Sequence, residues 1–198
     1  MKKPTKQRAA QEPSAASGGL ARCAQGTLQS LSVGALPILD HLLKRMRLEE
    51  FLRDYLPRED GRTKLSPAKA LLVLLRNLLV SREPIYGMGE WAARYAPDLL
   101  GLSPEEIVLL NDDRVGRALD RLFLAEMPSL VLAVVRHVVQ EFHVRLDELH
   151  NDSTTVTFFG AYLTAAQEKH YLGRPTLAIT FGHNKDHRPD LKPLLYIL

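Results

Sequence analysis

Leu149-His150-Asn151-Asp152-Ser153-Thr154-Thr155-Val156-Thr157-Phe158-Phe159 marks the point where helical periodicity gives way to strand chemistry. Its threonines, valine and phenylalanines are the β-branched and aromatic content of a strand. It carries one carboxylate, Asp152, which is costly to bury in a sheet unless a cation or strong donors accompany it. Two more apolar runs follow, Pro175 to Phe181 and Leu194 to Leu198, with the polar segment Gly182 to Asp190 between them. The pattern predicts three strands in succession, the first bearing an acid.

Two segments carry more than strand chemistry. The first is Asn151-Asp152-Ser153-Thr154-Thr155, and the second is Gly182-His183-Asn184-Lys185-Asp186-His187-Arg188-Pro189-Asp190-Leu191-Lys192. Together they resemble the DDE transposases of bacterial insertion sequences, where a D-[ST]-T strand precedes a G-[HY]-[SN]-K-D-H-R-P-D-L-K segment. The resemblance runs from about Val33 to the end of the sequence. Pro193 departs from it, standing where the family pattern has Gln, and Pro is tolerated at the first residue of a strand.

The resemblance implies a ribonuclease-H-like sheet, the ends of an insertion sequence as DNA partner, and Mg²⁺ as cofactor. Such enzymes displace in line at phosphorus, with two divalent ions roughly 3.5–4 Å apart activating the attacking oxygen and stabilising the leaving one. Mg²⁺ takes oxygen ligands from few carboxylates plus substrate phosphate. The resemblance makes Asp152 the first of three acidic ligands. By strand pattern alone, Asp152 reads better as a strand-end carboxylate capping nearby backbone. The other two acids belong to later elements of the family, and Glu168, Asp186 and Asp190 do not match them. One carboxylate does not position two metals. The expectation is therefore the N-terminal portion of a transposase, from a truncated, frameshifted or split gene. It would bind at most DNA or a full-length copy and would not transfer strands alone.

Lys185, Arg188 and Lys192 fit contacts to DNA phosphates, which position a backbone without reading bases. The same segment reads equally as a long loop whose Asn, Asp and Pro make turns. His183 and His187 have zinc spacing only on a helix, and Gly182 and Pro189 argue against one. A small metal-dependent hydrolase using Asp152 with either histidine is a rival that needs those side chains to converge.

The remaining composition narrows the class. At 45% hydrophobic and 25% charged residues, the sequence is that of a globular protein. The net charge of +3 hides an asymmetry: residues 1–26 carry +4 and the other 172 carry −1. Rich in Ala, Ser, Gly, Gln and Lys, the leader has too little apolar content to offset ordering entropy. It suits phosphate backbones, although a short charged leader is more often a solvated end. Cys23 stands alone, which excludes a disulfide framework and a multi-cysteine zinc site and fits a reducing cytoplasm. No apolar segment follows the N-terminal lysines to make a secretory signal. Leu71 to Val80, interrupted by Arg76 and Asn77, is too short to span a bilayer and reads as a buried helix.

Between these ends the period is helical. Leu36, Leu39, Leu42, Leu43 and Met46 recur at three- and four-residue steps, and a short helix follows from Leu48 to before Pro57. Ser66-Pro67 and Ser103-Pro104 are helix starts, each an N-cap followed by proline. Met88 to Tyr95 forms a shorter helix with the single tryptophan, Trp91. Another helix opens at Asp112 or Asp113, with Val115, Ala118, Leu119, Leu122 and Phe123 on one stripe. A last helix, Ser129 to Phe142, is rich in Val and Leu almost all round and is expected to lie centrally.

Two helix-turn-helix candidates arise, Pro67–Val80 with Met88–Tyr95 and Pro104–Leu109 with Asp113–Phe123. In such motifs the second helix enters the major groove. Arg114, Arg117 and Arg121 share a face and form a candidate DNA-facing ridge, or a solvated face weakly paired with Asp113 and Asp120. The fold class is therefore α+β. Residues 1–30 are a disordered basic leader, 31–143 an all-α domain able to bind DNA, and 144–198 the first strands of an incomplete ribonuclease-H-like sheet. Alternatives are a stand-alone helical regulator of transposition and an inert remnant.

Overall fold

The computed structural model describes residues 30–58, 61, 63–148, 153–159, 162, 169–179 and 192–197. Those from Leu31 onward belong to one unit, and the fold is α+β. Helices α1 (Leu36–Arg45) and α2 (Leu48–Tyr55) meet at a tight corner where Arg47 adopts the left-handed conformation, φ 51°. Helix α3 (Pro67–Val80) starts where the sequence says it does, with the Ser66 hydroxyl accepting from the Lys69 N–H at 3.2 Å. Helix α4 (Met88–Ala92) is shorter than its sequence run and is preceded by a 3₁₀ turn at Ile85–Gly87. Another 3₁₀ turn, Pro97–Leu100, leads to α5 (Pro104–Ile107). Then come α6 (Asp112–Leu124) and α7 (Met127–Glu141).

The core gathers Leu36 of α1, Val73 of α3, Met88 and Trp91 of α4, Leu100, and Val115 of α6, each at most 1% exposed. Helix α3 is its axis, packing along α6 and touching α1, α2 and α4. Gly89 lets α4 approach the segment before α6, since a Cβ there would stand 2.9 Å from the Leu110 carbonyl oxygen. Trp91 is fully buried and donates from Nε1 to the Ser81 hydroxyl at 2.9 Å, which satisfies its one polar atom.

Two apolar runs orient differently from the sequence reading. In α3 the polar interruption is the buried part: Arg76 and Asn77 are at most 3% exposed, while Leu78 and Leu79 are more than half exposed. Arg76 donates to Asp40 at 2.9 Å, and the Asn77 amide bonds the Glu83 N–H at 2.8 Å and the Glu83 carbonyl at 3.1 Å. Helix α7 does not lie centrally. Only Leu130 is buried, and Val131, Leu132 and Val135 stand open. The reason is that eight-residue α2 is its main partner and covers one side only. No single helix among the described residues is long and apolar enough to cross a membrane.

Among the described residues, four short strands follow the helices. β1 (Ser153–Phe158) pairs antiparallel with β4 (Lys192–Ile197), from Ser153 opposite Ile197 to Phe158 opposite Lys192. β2 (His170–Tyr171) and β3 (Arg174–Pro175) form a tight hairpin. Of the expected strand from Pro175 to Phe181, Pro175 ends β3, residues 176–179 form no strand, and 180–181 lie outside the described residues. Both the Thr176 N–H and its hydroxyl bond the Lys169 carbonyl, at 2.9 and 3.0 Å, which closes the hairpin at that point. β4 instead supplies the ladder partner of β1. Pro193, opposite Thr157, sits in a sheet that has two strands among the described residues, so that β4 is an edge there, the setting in which a missing N–H is tolerated.

Candidate nucleic-acid interface

Asn111 sets α6 in place, its side-chain oxygen accepting from the Arg114 N–H at 2.9 Å. The apolar stripe then decides the helix's rotation. Val115 and Ala118 are buried against α3, with Leu119 and Leu122 packed at the margin of the core. Steps of three and four residues carry Arg114, Arg117 and Arg121 along the neighbouring edge. All three line one cavity of about 310 Å³, with Leu65, Pro67 and Ala118 at its apolar wall and Thr63 beside them. Among the described residues, no carboxylate lines it.

The three arginines differ in how they are held. Arg121 donates through Nη1 to the carbonyls of Pro57 at 3.2 Å and Arg58 at 3.1 Å. It thereby ties the loop after α2 to α6. Arg117 stands 3.6 Å from Asp113, both about three-quarters exposed, a pair too wet to hold the side chain firmly. Among the described residues, no hydrogen bond or ion pair engages the Arg114 guanidinium.

The outward side of α6 is differently occupied. Asp112 and Asp113 are exposed at its N-terminus, and hairpin β2–β3 covers its C-terminal half. The Tyr171 ring packs on Phe123 at 5.8 Å, and its hydroxyl donates to Asp120 at 2.9 Å. That carboxylate raises the phenol's pKa above its ordinary value, first through the hydrogen bond and then through its charge. Arg174 caps the helix end, donating to the carbonyls of Phe123 at 3.3 Å and Ala125 at 3.0 Å and pairing with Glu126. A cation on the last carbonyls of a helix also opposes its dipole. Sequence reasoning missed this hairpin, because its contacts with α6 bridge about fifty residues of chain.

The helix-turn-helix candidates are unequal in this geometry. In the first, α4 has five residues and buries Met88, Trp91 and Ala92, leaving Glu90 as its exposed side chain, so it is mainly a core element. In the second, α5 is a single turn joined to α6, and α6 keeps a polar edge. Lys69 clamps α5 to α3 through Glu106, at 2.7 and 2.8 Å. Burial pushes the Glu106 carboxyl up, but the Lys69 ammonium and the Ser103 N–H outweigh it, leaving the pKa below its ordinary value.

Of the other sequence-derived site residues, Asp152, Lys185 and Arg188 lie outside the described residues, as do His183 and His187. The backbone of Lys192 is placed opposite Phe158, at the far end of the ladder from Ser153. Five steps at ~3.4 Å make that separation about 17 Å along the strand. Among the described residues, no three His, Cys, Asp or Glu side chains gather where they could hold a metal ion. Asp152 is a suitable oxygen donor for Mg²⁺ in kind, but a single carboxylate falls short of a two-metal donor set.

The fold and this edge define an α+β protein whose helical part presents arginines beside its core. The sequence profile of a domain of unknown function, DUF4277, matches residues 28–136, over half of the chain, and the chain belongs to that family. None of the curated proteins and none of the solved structures matches it. The matched span ends within α7, so it covers the helical part and stops before β1.

Proposed function

We propose that this chain is a DNA-binding portion of an insertion-sequence transposase of the DDE type, with its helical part engaging element ends. The observation that carries the reading is the strand Ser153–Phe158, which begins one residue after Asp152 and pairs antiparallel with Lys192–Ile197. The ladder takes in Ser153 to Thr155 of the first transposase-like segment and Lys192, the last residue of the second. It suits the opening of a ribonuclease-H-like sheet. Asp152 would contribute one oxygen ligand to Mg²⁺, which in such enzymes supplies charge stabilisation at phosphorus. The residues described here do not complete that site, and no catalytic step is assigned to them. Association with a full-length copy of the transposase is a further partner consistent with the same reading.

A stand-alone helical regulator of transposition is the second reading, favoured by an arginine-lined cavity with no acid among its described lining residues. The test is fluorescence anisotropy of the whole chain with duplex DNA from the ends of its own element and with a scrambled duplex, titrated with salt. Tighter binding to the ends that persists at moderate salt supports the proposal. Equal and weak binding to both duplexes, lost as salt rises, contradicts it and leaves only non-specific phosphate attraction.

A further inference from the structure

We infer that the α3–α6 cavity is a seat for one stretch of DNA backbone, in which Arg114 and Arg117 contact phosphodiesters and Arg121 positions the wall. This rests on the DNA-binding reading above and gives α6 a different role from that of a helix that reads bases.

Three observations carry it. The cavity brings three guanidinium groups together with no carboxylate among its described lining residues, a local field that favours an anion more than the molecule's modest net charge does. Two of the three arginines are available: Arg114 has no partner among the described residues, and Arg117 has only the solvent-exposed Asp113 at 3.6 Å. Guanidinium groups match phosphate oxygens in a planar, paired geometry. Arg121 is committed to the Pro57 and Arg58 carbonyls, so its charge helps while its side chain holds the loop.

The same geometry argues against base reading by α6. A recognition helix leads into the major groove with its N-terminal residues. Here that end carries exposed Asp112 and Asp113, which phosphate strands on either side of a groove repel. The outward side further along is covered by Tyr171 on Phe123 and Asp120. What remains open is the arginine edge facing the start of α3. An edge of that kind lies along a backbone, and it sets register without carrying sequence information.

The experiment compares wild type, Arg114→Ala/Arg117→Ala and Asp112→Asn/Asp113→Asn as whole chains, by anisotropy on element-end and scrambled duplexes across a salt series. The double arginine variant is expected to bind both duplexes about tenfold more weakly. Its dependence of log K on log salt should flatten by about 1.8, or ~0.9 for each lost phosphate contact. The double asparagine variant is expected to bind both more tightly. Circular dichroism and thermal unfolding check that each variant stays folded. Arg121→Ala is expected to lower the unfolding temperature, as a positioning residue would. A loss confined to one duplex, an unchanged salt slope, or weaker binding by the asparagine variant overturns the inference while leaving DNA binding intact. Inorganic phosphate is titrated separately by calorimetry. Saturable phosphate binding that the arginine variant loses, with DNA affinity unchanged, marks a small-anion seat and also overturns it. Wild type that binds neither duplex at low salt overturns both this inference and the reading beneath it.

Discussion

Asn77 is fully buried near the C-terminal end of α3, with its amide bound to both backbone groups of Glu83. It acts as a pin that folds the chain after α3 back towards α4, where Trp91 reaches Ser81. A buried amide left without partners, or a partner left without its amide, costs 1–3 kcal/mol for each stranded group. Asn77→Ala is therefore expected to lower stability by about 2–4 kcal/mol in urea unfolding. An unchanged midpoint contradicts the pin. Arg76 beside it is also buried, paired with Asp40, and its Nε has no partner. The sequence showed both residues only as breaks in a greasy run. Hydrophobic pattern cannot tell a polar residue that faces water from one that meets a backbone loop, because the deciding partners, Glu83 and Asp40, lie on other elements.

At the scale of elements, what was legible follows how local the cause is. Ser66-Pro67 and Ser103-Pro104 begin helices through bonds within the first turn, so the residues themselves announced them. The capping box at α5 adds a longer-range link, because Glu106 serves both the Ser103 N–H and the Lys69 ammonium. Glu106→Ala is expected to cost about 1–2 kcal/mol, and Glu106→Gln less, since Gln keeps the cap and loses only the charge. Because the folded carboxyl titrates below its ordinary value, its contribution is complete above the ordinary carboxylate range and is lost as pH falls through the lowered value. Unfolding of wild type against Glu106→Gln from neutral to acid pH measures this: the gap between them is expected to shrink towards low pH, and a constant gap contradicts the linkage.

Helix α7 shows the opposite case. Apolar nearly all round, it gave no clue to which side had a neighbour, and the expected central position was wrong. Leu130 is 5% exposed and Leu132 is 69% exposed. Leu130→Ala is expected to cost about 2–4 kcal/mol, whereas Leu132→Gln should change stability by no more than about 0.5 kcal/mol. Equal losses at the two positions contradict the orientation of α7. Strand pairing was equally hidden. β1 was evident from Thr, Val and Phe, and the run Leu194 to Leu198 read as a strand, but their pairing was not legible, because it is decided across the 33 residues between β1 and β4.

At the scale of the molecule, the helical part and the hairpin β2–β3 are joined at α6, which packs on α3 by one side, takes Tyr171 and Arg174 on another, and leaves its arginine edge open. Arg114, Arg117 and Arg121 were readable as one face from their spacing. That the face borders a cavity beside Pro67 was not, since the packing of α3 on α6 creates it. The central claim is that DNA engages this edge and not merely the basic residues of 1–26. The most direct measurement is amide hydrogen exchange of the whole chain with and without a duplex from an element end. The account predicts slower exchange at 63–67 and 112–121 in the complex; protection confined to residues 1–30, with those two segments unchanged, contradicts it.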